Sequence, residues 1–226
     1  MDPFTLIIGN KNYSSWSLRP WLVMQHFGIE FKEIRIPLNT PQSRQQISQY
    51  SPAKRVPVLQ HGSLTIWDSL AICEYLAERF PQAGLYPADP NQRAIARSIS
   101  AEMHAGFVEL RTQMPMDCRS RYPGQGMTPA VQDDIDRITT IWQDCRQRFG
   151  GAGDFLFGPF TIADAMYAPV VSRFVTYGVS LPPVAQTYAH TIWTLPAMEQ
   201  WLAAATAEAE VIPQAFLGVT GPLLND

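Results

Sequence analysis

Val56-Pro57-Val58-Leu59-Gln60-His61-Gly62-Ser63-Leu64-Thr65-Ile66-Trp67-Asp68-Ser69-Leu70-Ala71-Ile72-Cys73-Glu74-Tyr75-Leu76 is the stretch whose reading decides the fold. Val56 to Gln60 and Ser63 to Ile66 are apolar, β-branched runs on either side of His61-Gly62, the pattern of a β-hairpin. Pro57 cannot donate to a ladder, so it belongs to a sheet edge or to a cis bond. Asp68 then stands as a helix cap before Leu70, Cys73, Leu76 and Phe80, which fall three or four residues apart, and Pro81 ends the helix. This is a ββα unit.

Upstream, Phe4 to Ile8 is an apolar strand-like run ended by Gly9-Asn10. Leu18, Trp21 and Leu22 share a helical face that stops at Gly28, a residue suited to a helix C-terminus. Pro20 is tolerated only in a first turn, which sets the helix start near Ser15 to Ser17. Phe31 to Ile36 reads as a second strand. Thr40-Pro41 reads as a cap and first helical residue of a short polar helix closed by Ser51-Pro52. The first part of the chain is therefore βαβ followed by ββα.

Downstream the strand signal fades. Asp89-Pro90 opens a helical stripe of Ile95, Ile99, Met103 and Phe107. Thr128-Pro129 opens a longer one, Val131, Ile135, Ile138, Trp142, Cys145 and Phe149, ended by Gly150-Gly151. Thr161 to Asp164 has the spacing of a capping box, Leu181-Pro182-Pro183 breaks the next helix, and Thr194 starts another through Trp201. After Val211 the pattern is that of an irregular tail. The expected boundaries are residues 1–81 for an α/β part and 88–226 for an all-helical part.

Composition excludes several classes. Of 226 residues, 17 are Lys or Arg and 20 are Asp or Glu, giving a net charge of −3, too little of either sign for general attraction to nucleic acid or anionic membrane. Charged residues make up 16%, well below the usual ~25%, whereas a disordered chain shows the opposite balance. The start has no basic segment, and no stretch approaches the ~18 apolar residues of a membrane helix, so a cytoplasmic location is expected. Cys73, Cys118 and Cys145 share no metal or redox spacing, and the four histidines form no cluster; no metal is expected.

Three loops of the first part carry residues able to do chemistry. Tyr13-Ser14-Ser15-Trp16-Ser17 precedes the first helix, Lys54-Arg55-Val56-Pro57 precedes the third strand, and Asp68-Ser69 starts the third helix. In a βαβ–ββα sheet all three lie along one end. A ligand held there meets hydroxyls, an open backbone edge, a carboxylate and a helix N-terminus.

These motifs resemble the glutathione transferase family. Ser51 to Leu59 is similar to that family's stretch before its cis-proline. Trp67 to Leu76 resembles its acid-serine glutathione motif, and Phe155 to Asp164 its helical-domain capping motif, one residue short in the loop. The resemblance covers nearly the whole chain. It implies a thioredoxin-like N-terminal domain followed by an all-helical domain, and a bacterial, serine-type member. Ser14-Ser15-Trp16-Ser17-Leu18-Arg19 is nearest to the zeta-class pattern S-S-C-S-W-R, with Trp16 in the place of the cysteine and Leu18 in that of the tryptophan. Loss of that cysteine argues against maleylacetoacetate isomerase activity as the main reaction.

The resemblance further implies glutathione as co-substrate, a small apolar electrophile as partner, a detoxifying role and a homodimer, with isomerase or peroxidase activity on the side. Ser14 is the expected thiolate stabiliser, with Ser15 and Tyr13 as alternatives. Val56 would pair with the cysteinyl unit as an added strand. Asp68 and Ser69 would take the γ-glutamyl ammonium and carboxylate, and Lys54 the glycyl carboxylate. A serine hydrogen bond to a thiolate, at ~1.5–3 kcal/mol, lowers a thiol pKa by roughly one to two pH units, enough to bring it from ~8.5 to near neutrality. Met103, Phe107 and Arg111, spaced four and four, are candidates for the electrophile's pocket. The alternative function is a catalytically silent, glutathione-transferase-like binding or interaction protein.

Overall fold

In a computed structural model, residues 2–213 are described; the expected irregular tail lies almost wholly outside them. β1 (Phe4–Ile8), α1 (Ser15–His26) and β2 (Phe31–Arg35) form the βαβ unit. After α2 (Ser43–Ser48) come β3 (Val58–His61), β4 (Leu64–Trp67) and α3 (Ser69–Arg79). The four strands are ordered β2-β1-β3-β4. β1 runs parallel to β2, with Phe4 opposite Phe31, and antiparallel to β3, with Ile7 opposite Val58. This is the thioredoxin-like arrangement expected.

β1 is apolar without alternation because both its faces are covered. Leu6 and Ile8 join the large core with Leu22 of α1 and Ile72 of α3, whereas Ile7 and Val58 pack with Ile36 and Ile47 of α2 in a small separate core. The helical part comprises α4 (Pro90–Ala105), α5 (Val108–Gln113), α6 (Pro129–Phe149), α7 (Ile162–Tyr177), α8 (Pro183–Trp193) and α9 (Pro196–Ala207). α7 is buried along nearly its whole length and packs on α1 and α4, so one core runs through both parts.

Local chemistry explains four of the helix starts. Asp68 accepts the amides of Leu70 and Ala71 at 2.9 and 3.3 Å, Asp89 that of Gln92 at 2.8 Å, and Thr128 that of Val131 at 3.2 Å. At α7, the buried Asp164 carboxylate reaches back to the Thr161 amide at 2.8 Å. It also accepts the Thr161 hydroxyl, the Leu156 amide and the Tyr188 hydroxyl at 3.0–3.1 Å.

Several expectations are corrected. Pro20 is the sixth residue of α1, beyond the first turn. The short polar helix begins at Ser43 after Gln42, so Thr40 is not its cap; the Thr40 amide donates to Ser43 Oγ instead. The strands of the hairpin sit one or two residues later than their apolar runs suggest. The helical stripe from Ile95 stops at Ala105, and Phe107 adopts φ 55° before α5, so Met103 and Arg111 belong to different helices. The last helix begins at Pro196 rather than Thr194 and continues to Ala207. Among the described residues no helix is long and apolar enough to cross a membrane.

Candidate active site

A cleft of about 530 Å³ opens where the sheet's end meets α4 and α5. Its sheet side is Val56, Pro57 and the start of α3; its helical side is His104 and Arg111, with Trp16 between them. The Val56–Pro57 bond is cis, and Val56 lies two residues ahead of β3 and outside its ladder. Its backbone therefore lines the cleft as an edge rather than as part of the sheet.

Asp68 holds φ 77°, a left-handed conformation that turns the chain from β4 into α3. One of its oxygens caps α3; the other receives His104 Nε2 at 3.1 Å. Burial pushes its carboxyl up, but the His104 hydrogen bond and charge, with the two capping amides, outweigh this and hold it below its ordinary value. Ser69, the first residue of α3, is 1% exposed, and its Oγ has no partner. An unpartnered hydroxyl at a helix N-terminus, beside an ionised carboxylate, fits the carboxylate and ammonium of an amino-acid head. Val56 adjoins this pair in the cleft wall.

Ser14 is placed differently. It is 6% exposed and stands at the N-cap of α1, yet its side chain does not cap the helix. The hydroxyl donates to Ser17 Oγ at 2.7 Å, which in turn accepts the Gly9 amide at 3.1 Å. Ser15, the first residue of α1, is half-buried and makes none of these bonds. Tyr13 turns the other way: its oxygen accepts Arg119 Nη2 at 3.0 Å and the Ile212 amide at 3.1 Å.

Of the expected residues, the fold brings Val56, Asp68 and Ser69 into the cleft wall, and Ser14 and Ser15 to the loop leading into Trp16. Lys54 is exposed at φ 53° and outside the wall, where Arg55 lies instead. His104 was missed from sequence. The only signal was its place one residue beyond Met103, off the apolar stripe.

Trp16 fills the position at which the zeta-class pattern has a cysteine. The Arg19 guanidinium stacks over its ring at 4.1 Å, that of Arg111 lies 5.4 Å from it, and the His104 ring meets it edge-on at 5.2 Å. Arg19 is 1% exposed; burial first, then repulsion from Arg173 and Arg111, lowers its pKa to about 9. Burial likewise lowers that of Arg111, opposed by Asp134. The three cysteines are free and buried, and burial pushes each thiol up. Among the described residues no cluster of potential metal ligands occurs.

Two family models match the chain, the glutathione S-transferase N-terminal domain over residues 13–79 and the C-terminal domain over 128–204. Maleylacetoacetate isomerase from Rattus norvegicus is 30% identical over 84% of this chain and 86% of its own. A stringent starvation protein A homolog from Coxiella burnetii is 24% identical over 79% of each. A glutathione transferase homolog from Burkholderia, solved with bound glutathione, is 27% identical and superposes with a TM-score of 0.69 over 90% of this chain and 98% of its own. The chain belongs to the glutathione S-transferase family.

Proposed function

We propose that the protein binds glutathione in this cleft and stabilises its thiolate for attack on a small electrophile. The observation that carries the reading is the Asp68–Ser69 pair at the α3 N-terminus, with its unpartnered buried hydroxyl, set beside the Val56 edge. Asp68 would take the ammonium, the Ser69 hydroxyl at the α3 N-terminus the carboxylate, and Val56 the peptide backbone. The thiol would then fall toward the loop from Ser14 to Trp16. Ser14 reaches it once its hydroxyl leaves Ser17; Ser15 is the alternative donor. With the α1 N-terminus adding ~0.3–1 kcal/mol, no general base is required.

The electrophile's side of the cleft is mixed rather than apolar: Trp16 supplies a flat wall, and Arg111, Arg55 and His104 supply positive or donor groups. An electrophile with a negatively charged or strongly polar substituent suits it better than a purely apolar one. Pairing of two copies belongs to the same reading and accounts for the low surface charge; gel filtration at micromolar concentration should give twice the chain mass.

A second reading, glutathione binding without catalysis, is favoured by one observation, the internal hydrogen bond of the Ser14 hydroxyl. A glutathione isotherm followed by conjugation of a chloronitrobenzene separates the two. Binding below millimolar concentration with turnover, and a bound thiol whose pKa rises in Ser14→Ala, supports the enzyme. The same rise in Ser15→Ala alone would move the role one residue. Binding without turnover on this or on anionic electrophiles favours the second reading, and no binding at millimolar glutathione overturns both.

A further inference from the structure

Beyond α9 the chain turns back across the loop that joins β1 to α1. Glu208, the first residue after the helix, places its carboxylate against two backbone amides of that loop. Oε1 accepts Lys11 N at 2.6 Å and Oε2 accepts Asn12 N at 3.1 Å. The side chain is 5% exposed, and Arg35 of β2 approaches Oε1 at 3.6 Å. Arg119, in the connection from α5 to α6, fastens the same segment. Its Nη1 donates to the Glu208 carbonyl, and its Nη2 to the Glu210 carbonyl at 2.8 Å and to the Tyr13 hydroxyl oxygen. Ile212, buried, donates its amide to that same oxygen, and Arg35 pairs with Glu210 at 2.8 Å.

The loop's remaining polar groups are met from the helical part as well. Asn12 Nδ2 donates to Asp117 at 2.8 Å, Asn12 Oδ1 accepts Arg119 N at 2.9 Å, and the Lys11 carbonyl accepts Trp201 Nε1 at 2.9 Å. Lys11, Asn12 and Tyr13 are thus fixed less by their own sheet than by residues more than a hundred positions away. Ser14 follows directly, its amide bonded to the Asn10 carbonyl at 2.8 Å.

We propose that Glu208 is a positioning residue for the thiol-binding loop, and that the segment from Glu208 to Ile212 couples the helical part to it. This rests on the proposed glutathione reading. Here each of the two amides has its own acceptor oxygen on one side chain, an arrangement that a carboxylate supplies and a carboxamide does not. Glutamine offers one acceptor and turns an NH2 toward the second amide, leaving a buried N–H without a partner. A loop so loosened presents the hydroxyls of Ser14 and Ser15 less accurately, and an error of about 1 Å in such a group is costly to rate. Neither carboxylate oxygen faces the cleft, so glutathione affinity should be little affected.

The test uses the full chain and its Glu208→Gln variant, with Glu208→Asp as the conservative control. Three quantities are read: glutathione affinity, the pKa of the bound thiol, and amide hydrogen exchange of residues 10–14. In Glu208→Gln we expect exchange there to rise at least tenfold and the bound-thiol pKa to rise by half a pH unit or more. We also expect kcat to fall about tenfold, with KM for glutathione within twofold; Glu208→Asp should recover part of each. Should Glu208→Gln fail to fold, Arg119→Gln severs the segment from the other side and is read the same way. A folded variant with wild-type exchange, thiol pKa and kcat overturns the proposal. A wild-type protein that binds no glutathione overturns the functional reading instead, and the exchange data then report the tether alone.

Discussion

His104 Nε2 stands 3.1 Å from Asp68 Oδ2, and that contact ties α4 to the N-terminus of α3 across the cleft. Asp68 thereby has one oxygen on the cap and the other held by the imidazole, with a lone pair to spare. The other ring nitrogen, Nδ1, is buried without a partner. His104→Ala removes the hydrogen bond that orients the outer oxygen, while the cap keeps the carboxylate in place. One such bond is worth ~0.5–1.5 kcal/mol, so KM for glutathione should rise about 2- to 12-fold, with kcat within twofold. Steady-state kinetics with glutathione varied checks it; a change in kcat alone would place His104 with the electrophile instead.

Ser17 carries two contacts, the Gly9 amide and the Ser14 hydroxyl. Ser17→Ala leaves the buried Gly9 N–H unpaired, at ~1–3 kcal/mol. For a chain of this size, thermal denaturation should show a loss of roughly 2–12 °C. The same substitution releases the Ser14 hydroxyl for a ligand. The pKa of bound glutathione's thiol should therefore stay level or fall in the folded variant, and a rise would show that Ser17 itself is the donor.

What the sequence disclosed and what it withheld divide on physical lines. The hairpin, Asp68 as a cap, the stripe from Val131 to Phe149 and the Thr161–Asp164 contact are local patterns, in which spacing along the chain and spacing in space are the same. Pro20 was misjudged because packing of α1 against α3 and α7 outweighs one missing hydrogen bond. The break at Gly106–Phe107 was invisible because the apolar period continues across it while the backbone changes hand. Asp68 and Ser69 were legible because their motif is contiguous, whereas His104 and Glu208 act across more than thirty and nearly two hundred residues. Lys54 and Arg55 are neighbours of opposite exposure to the cleft, a choice made by the φ of 53° at Lys54 rather than by either side chain.

Asp164 gives a pH dependence of defined sign. Burial pushes its carboxyl up to about 6, against the hydrogen bonds from Leu156, Thr161 and Tyr188. In the unfolded chain it titrates near ~3.9. Between those values the folded state holds the extra proton, so this group's contribution is greatest below pH ~4 and declines as pH rises to ~6, by on the order of 3 kcal/mol. Asp164→Asn abolishes that slope. It also sets an NH2 against donors the carboxylate satisfied, costing ~1–3 kcal/mol at pH 7. Urea unfolding of both proteins at pH 4, 5, 6 and 7 tests the two effects together; equal slopes would contradict the first, and equal stability at pH 7 the second.

Arg19 is a buried charge without a counter-ion. Its Nε and Nη1 have no partner, Arg173 and Arg111 repel it more than Asp68 attracts it, and no carboxylate lies within ion-pair distance among the described residues. The stacking on Trp16 at 4.1 Å is its principal favourable contact, worth ~2 kcal/mol when desolvated. The effective cost of burying such an ion is several kcal/mol. Desolvation therefore outweighs stacking, and a methionine of similar length should keep the packing without the charge. Arg19→Met should raise stability by about 1–2 kcal/mol, a Tm increase of roughly 2–8 °C. It should leave glutathione affinity unchanged, because the guanidinium is covered by Trp16 and does not line the cleft. Calorimetry and an isotherm on the same sample decide the matter. A variant less stable by more than 1 kcal/mol would show that Trp16 depends on the cation beneath it, and a weakened isotherm would place Arg19 among the groups that hold the tripeptide.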